Sequence, residues 1–451
     1  MIKPTKIKSL TATVIILFTF NNIYGQLKSE SRLNYDYHTI DSVITNRWES
    51  QALKSKDFPN TFIPAFQNDP VMFYWDTFFI NKGLIATGKL QLAKENTLNI
   101  LDIVDRFGYM PNAAITTWGM NRSQPPYLSV MVRDIFKAEK DIKFLAYAYP
   151  ILKKEYEFWT GQGPGTIENH QTKIKGLQRF SHHASKQELI DLYKEVAKRL
   201  GFDKNINDEQ KCIIASRYAA EAETGMDFTM RFEGNCPDFI AVDLNCLLYC
   251  LERNMDWISK QLNPNAKSEW SRLAQARRVL INRYCWEEKT GMYYDFNYVT
   301  LKRSKVAAVT TLQPLWAGIA SANQAKRVMT NLRNFETPYG LTTTIAGSKD
   351  ENYQWGCLSV WAPMQLIAVD GLLNYGYKKE AKIIADKYML LIAKNYELPV
   401  SSKKDSPAKR LPGFTYEKYK LDGTINDDEY TAHKMMGWTA GVYNYLYHLH
   451  L

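Results

Sequence analysis

Residues 239–252 read FIAVDLNCLLYCLE. Wound into a helix, this stretch is apolar on nearly every side, with only Asp243, Asn245 and Glu252 interrupting it. A helix of that kind belongs among other helices, because it has no polar face to give to water. Segments on either side are different. QLAKENTLNILDIVDRF (91–107) gathers Leu92, Leu98, Leu101, Ile103 and Val104 broadly on one side. YKKEAKIIADKYMLLIAKNY (377–396) repeats Ala381, Ile384, Ala385, Tyr388, Leu391 and Ile392 at three- and four-residue steps. TAHKMMGWTAGVYNYLYHL (431–449) does the same with Met435, Trp438, Val442, Tyr445 and Leu449. Two-residue alternation is scarce, so the chain reads as all-α, with about a dozen helices. Amphipathic helices alternating with buried ones suggest an inner ring wrapped by an outer one, and pattern alone does not separate that from an α-solenoid.

The totals bound the function. The 451 residues are 45% hydrophobic and 23% charged, an ordinary globular composition. That length easily supplies a core with a deep pocket. The formal charge of +10 is scattered, apart from SSKKDSPAKR (401–410), and no basic stripe interleaves with aromatics as a nucleic-acid binder requires. The six cysteines, Cys212, Cys236, Cys246, Cys250, Cys285 and Cys357, show neither a CxxC nor a metal spacing, so no metal or cofactor is expected. They are too few for a disulfide framework, although a single bridge fits an exported chain. Lys3, Lys6 and Lys8 precede LTATVIILFTF, and small Gly25 follows, which reads as a secretory signal over residues 1–25. The expected location is periplasmic or secreted, with no membrane association once the signal is removed. Residues 26–451 are expected to form one domain; oligomeric state is left open.

Four stretches carry the polar and aromatic side chains that build a site. FYWDTFFINKGL (73–84) holds Trp75 and Asp76. MPNAAITTWGMNRSQPP (110–126) holds Asn112, Asn121, Arg122 and Gln124, stiffened by two prolines. AAEAETGMDFTMRF (219–232) places Asp227 between Met226 and Phe228. The last is a C-terminal set: YQWGCLSVWAPMQ (353–365), FTYEKY (414–419) and NDDEYTAHKMMGWTAGV (426–442), which contains Glu429 and Trp438. Singly, each has an ordinary reading: Trp75 as core, Asp76 and Asp227 as helix caps, and Glu429 as part of a solvated acidic turn. Together they suit glycoside hydrolysis, which needs one protonated carboxyl at the leaving oxygen and a second carboxylate on the other face. Apolar neighbours would keep Asp227 protonated, and Glu429, among other acids beside Tyr430, would stay ionised to activate water. Asp, Asn, Gln and Arg match sugar hydroxyls, and Trp matches the apolar sugar face.

The order and wording of these stretches resemble the trehalases of glycoside hydrolase family 37, roughly from Phe58 to Tyr447. YWDTFF resembles the end of that family's first signature, and NRSQPP is nearly verbatim. AAEAETGMDFTMRF is similar to AAESGWDFSSRW, and QWGCLSVWAPMQ resembles the second signature. EKY and EYTAHKMMGWTAGV are similar to the C-terminal block. The resemblance implies an (α/α)6 toroid and an inverting hydrolysis of a small sugar, α,α-trehalose first. It puts the general acid on Asp227 and the general base on Glu429. Sugar contacts fall on Trp75, Asp76, Asn112, Arg122 and Trp355, with Gln124 and Trp438 from the same stretches, and Gly225 brings its backbone to the sugar.

This chain departs from the family in four places. Asn68 stands where the family has an arginine, and Gly356 where it has an aspartate. The family's glycine run before its base is TINDD (424–428). Its RPES segment has no counterpart; LQRFSHHASKQEL (177–189) occupies that region, with Arg179, His182 and His183 as substitutes. The catalytic pair is kept while specificity contacts change, so a different α-linked di- or oligosaccharide is the alternative substrate. A non-catalytic sugar-binding protein is a third reading.

Overall fold

The computed structural model describes residues 35–66, 70–161, 170–265, 267–345, 353–396, 413–428, 430–434 and 437–451. Residues 1–25, where the signal was expected, lie outside them, as do Asn68, Glu429 and Met435.

The buried helix anticipated at 239–252 is α8, Val242–Leu262, and every residue from Val242 to Tyr249 is buried. It is one of a ring. α2 (Tyr74–Ala86), α4 (Leu128–Glu139), α8, α10 (Gln313–Trp316), α12 (Ala362–Asn374) and α14 (Gly437–His448) pack in that order, and α14 returns onto α2. Outside them run α1 (Tyr37–Gln51), α3 (Leu90–Phe107), α5 (Ile142–Thr160), α9 (Trp270–Tyr284), α11 (Ala322–Asn331) and α13 (Lys378–Tyr396). The architecture is the (α/α)6 toroid, and closure of α14 onto α2 distinguishes it from a solenoid.

Local chemistry explains the layers. α13 buries Ala381, Ile384, Ala385, Tyr388, Leu391 and Ile392, the stripe read from the sequence. α3 buries Ile100, Leu101, Ile103 and Val104, but Leu92 and Leu98 are only half-buried, because the stripe drifts around an 18-residue helix. α14 is less amphipathic than its sequence suggested. It is buried from Gly437 through Asn444, since an inner helix meets protein on all sides. Several outer elements are capped by their own side chains. Asp36 accepts from the Thr39 amide at the start of α1, and Asp141 from Lys143 at the start of α5. Glycines in the left-handed region end α3 and α5 at Gly108 and Gly161.

An additional hairpin, α6 (Lys186–Leu200) and α7 (Asp208–Ala222), leaves the ring between α5 and α8. Both helices begin with capping boxes, Ser185/Glu188 and Asn207/Gln210. They share a small core of Leu189, Tyr193, Ala197, Ala215 and Ala219. Short antiparallel ribbons decorate the loops. In one, β1 (Ser359–Trp361) pairs with β2 (Lys418–Lys420) and sets Trp361 against Lys418. Among the described residues no disulfide joins the cysteines, and no helix is long and apolar enough to cross a membrane.

Candidate active site

Most of the stretches singled out in the sequence lie at or lead toward the start of an inner helix. Trp75 and Asp76 are in the first turn of α2, and MPNAAITTWGMNRSQPP leads into α4. The Asp227 stretch leads toward α8, YQWGCLSVWAPMQ runs into α12, and the C-terminal stretch runs into α14. The starts of α2, α4, α8, α10 and α12 carry no side-chain cap. The starts of α2, α12 and α14 bring Trp75, Asp76, Trp361 and Trp438 to one space, and the loop into α4 adds Arg122 and Gln124.

That space is a pocket of about 230 Å3. Its lining includes Trp75, Asp76, Asn112, Arg122, Gln124, Gly225, Trp355 and Trp438, all the sugar contacts expected from the sequence, together with Asp227. It also includes Phe66, Phe73, Trp118, Gln354, Trp361, Glu417 and Tyr430, which were not assigned there. All of these but Phe66 lay inside quoted stretches; for Glu417, a carboxylate between Tyr416 and Lys418 was the available signal.

Asp227 caps no helix. The helices that follow it begin after Asn235 and Ala241 without side-chain caps. It sits between two left-handed residues, Gly225 at φ 71° and Phe228 at φ 55°. Strain of this kind persists only where the surroundings hold it. Here Thr229 N donates to Glu221 (3.0 Å) and Trp355 N to the Phe228 carbonyl (3.2 Å). Arg231 then anchors the loop with bidentate bonds to Asp243 (2.7 and 2.9 Å) and Asp295 (2.9 and 3.0 Å). The apolar neighbours in sequence do not form the pocket around Asp227. Met226 enters the main core, and Phe228 packs with Tyr218 and Val196. Burial in the pocket still raises the Asp227 pKa, while the charges of Arg122 and Arg199 pull it down.

Asp76 is held well above the usual carboxylate range, first by burial and then by the nearby charge of Glu417. Glu417 accepts from the Tyr430 hydroxyl at 2.7 Å, and its carbonyl accepts from Trp438 Nε1 at 3.1 Å. Three carboxylates thus share one pocket with five indoles. Trp355 stacks on Trp361 at 3.9 Å, and Trp75 lies 5.6 Å from Trp355 and 5.8 Å from Trp438. Arg122 donates to Asn121 at 2.8 Å and makes no ion pair among the described residues. Gln124 accepts from the Trp75 amide at 3.2 Å.

The segment in place of the family's RPES does not supply the pocket. Arg179 donates to the Pro237 carbonyl and Tyr298 hydroxyl, His182 meets Ser216, and His183 meets the Met120 carbonyl. Arg199 of α6 approaches instead. It donates to Gln354 at 3.0 Å and lies 4.3 Å above the Phe228 ring. Nothing in KEVAKRL, a charged amphipathic run, distinguishes Arg199 from a surface cation. Among the described residues, no group of three or more His, Cys, Asp or Glu is placed to hold a metal.

The trehalase family model matches residues 70–450. The chain belongs to the trehalase family. A cytosolic neutral trehalase of Kluyveromyces lactis is 28% identical over 418 residues, covering 82% of this chain and 54% of the relative. A periplasmic trehalase of Xanthomonas campestris is 28% identical over 393 residues, covering 82% and 65%. This trehalase-family chain therefore spans between about half and two thirds of the length of those relatives. Among solved structures, neutral trehalase Nth1 from Saccharomyces cerevisiae superposes with a TM-score of 0.68 at 22% identity, covering 89% of this chain and 78% of that one. A GH63 mannosylglycerate hydrolase from Thermus thermophilus in complex with glucose superposes at 0.62 with 15% identity, covering 90% and 99%. Both likenesses concern the toroid.

Proposed function

We propose that this chain is an exported inverting glycoside hydrolase that cleaves α,α-trehalose into two glucose molecules. The observation that carries the reading is the single pocket that holds Asp227 and Glu417 with Asp76, among indole, amide and guanidinium groups. Membership in the trehalase family supports the substrate. Residues 26–451 act as one catalytic unit after removal of residues 1–25; relatives bearing this family's name include both periplasmic and cytosolic proteins.

Asp227 is the general acid. Its raised pKa keeps a proton available, which passes to the glycosidic oxygen as the bond to the anomeric carbon breaks. Water attacks that carbon from the other face and gives its proton to a carboxylate base. The C-terminal stretch has two candidates for the base. Glu429 is the one expected from the sequence and lies outside the described residues. Glu417 is favoured by its place in the pocket with Asp227, where Tyr430 orients its carboxylate. Trp75, Trp355 and Trp438 offer faces to the sugar rings, and Asp76, Asn112, Arg122 and Gln124 bind hydroxyls. Gly225 lets the loop backbone approach.

A second reading keeps the mechanism and changes the sugar to another α-linked di- or oligosaccharide. It is favoured by the turning of Arg179, His182 and His183 to other partners.

Proton NMR of the purified protein with trehalose separates these readings. Early release of α- and β-glucose in equal amounts supports both substrate and inversion. Release of α-glucose alone means retention and new roles for the carboxylates, and no hydrolysis moves the search to other α-glycosides. Asp227→Asn should lower kcat by at least about 10²-fold with folding intact. Glu417→Gln and Glu429→Gln decide the base: the true one loses turnover on a similar scale, and the other loses mainly affinity.

A further inference from the structure

A second cavity, of about 310 Å3, shares no lining residue with the first. The first pocket is lined at the starts of α2, α12 and α14. This one is lined by Arg133 of α4, by Tyr249, Arg253, Asn254 and Trp257 along the second part of α8, and by Trp316 at the end of α10.

Two guanidinium groups are its chief polar feature. Among the described residues neither Arg133 nor Arg253 forms an ion pair. The carboxylates beside them on the same helices are committed elsewhere. Asp134 lies 3.7 Å from Lys82, Glu252 bonds Arg277 at 2.8 Å, and Asp256 bonds Lys260 at 2.6 Å. Arg133 donates only to Asn254 Oδ1, at 3.2 Å, and its Nε is buried without a partner among the described residues. Its guanidinium lies 5.7 Å from the Trp257 ring, and Arg253 donates to the Tyr249 hydroxyl at 3.3 Å. Both arginines act on Cys250 in the wall, countering the burial that pushes its thiol up to about 12. Arg133 is half-buried and Arg253 exposed. Two cations at one cavity, with no counter-charge supplied among the described residues, leave a field that an anion would satisfy.

We propose that this cavity binds a small phosphate dianion, free or as a monoester. The guanidinium forks of Arg133 and Arg253 hold the oxygens, and Trp257 and Trp316 receive whatever the ester carries. Two planar donor forks match a tetrahedral dianion better than a single carboxylate. The proposal does not depend on the hydrolytic reading of the first pocket, because its test reads binding alone.

Thermal unfolding and calorimetry of the full chain would use inorganic phosphate and a hexose phosphate, against sodium chloride at matched ionic strength. A saturable rise in Tm and a measurable Kd are expected for the wild type. Arg133→Gln and Arg253→Gln should each weaken the Kd by about 10-fold or more, as loss of a charge-assisted bond does. Arg133→Lys, which keeps the charge, should lose less than Arg133→Gln. Tighter binding of the hexose phosphate identifies an ester as the occupant; equal binding identifies free phosphate. Absence of saturable binding in the wild type overturns the proposal, whatever the variants do. Equal binding by wild type and both glutamine variants overturns it too.

Discussion

Gly225 is the residue on which the acid loop turns. Its φ of 71° suits glycine, and a Cβ built there would lie 2.5 Å from Trp75 Cε2. Gly225→Ala should therefore strain the backbone and displace the indole together. The expected loss in kcat/KM is about 10- to 100-fold, since small misplacements of reacting groups are costly; unchanged kinetics would show that the turn relaxes freely. Arg199 acts on the same carboxyl by charge. Asp227 must be protonated to serve as acid, so activity falls as pH rises through its pKa, and Arg199 holds that pKa below where burial alone would set it. Removing the cation raises the pKa and carries the alkaline limb of kcat/KM to higher pH. Arg199→Gln should show that shift and Arg199→Lys should not; a limb that stays, or moves down, would separate Arg199 from the acid.

At the scale of elements, what was legible in the sequence depended on whether a side chain's surroundings were local. α13 was legible because its stripe repeats within one helix, and α8 because a wholly apolar helix has few places to go. The buried status of α14 was hidden, since its polar Thr439 and Asn444 are satisfied by Tyr416 and Trp48, remote in the chain. Trp75, Asp76, Asn112, Arg122, Gln124, Gly225, Asp227, Trp355 and Trp438, singled out within distinctive wording, line one pocket. Glu417 was passed over because its place in the pocket depends on the pairing of β2 with β1, and Arg199 because a hairpin outside the ring delivers it. Contact between layers is also what fixes the charge of Glu155. On α5, it accepts from the hydroxyl of Tyr74 on α2, which in turn accepts from the Leu128 amide at the start of α4 at 3.0 Å. Burial raises the Glu155 pKa from 4.5 to about 8. Between those values the folded chain holds a proton that the unfolded chain has lost, so this group's contribution to stability declines as pH rises. Glu155→Gln carries no such titration. Its Tm should gain on the wild type from pH 5 to pH 8; parallel Tm curves would mean Glu155 is not protonated there.

The whole molecule depends on one seam, where the first and last inner helices meet. A Cβ on Gly441 of α14 would lie 2.4 Å from the Phe79 carbonyl oxygen and 2.9 Å from Ile80 Cα, both on α2. The obstruction is backbone, so no rotamer change can relieve it, and an added methyl must push the helices apart. Overpacking of this kind costs about 1–3 kcal/mol or more. The seam joins parts of the chain that are far apart in sequence, so its closure is among the less local events in folding. It also adjoins the pocket: Trp75 and Asp76 start α2, Trp438 starts α14, and the two indoles are 5.8 Å apart. Gly441→Ala should therefore lower Tm and kcat/KM together. Gly376→Ala, at a left-handed turn with open space around it, should cost stability alone. If Gly441→Ala lowered Tm without touching kcat/KM, the seam would hold the ring closed without setting the width of the site. If it changed neither, the two helices would have room that their backbone contact denies.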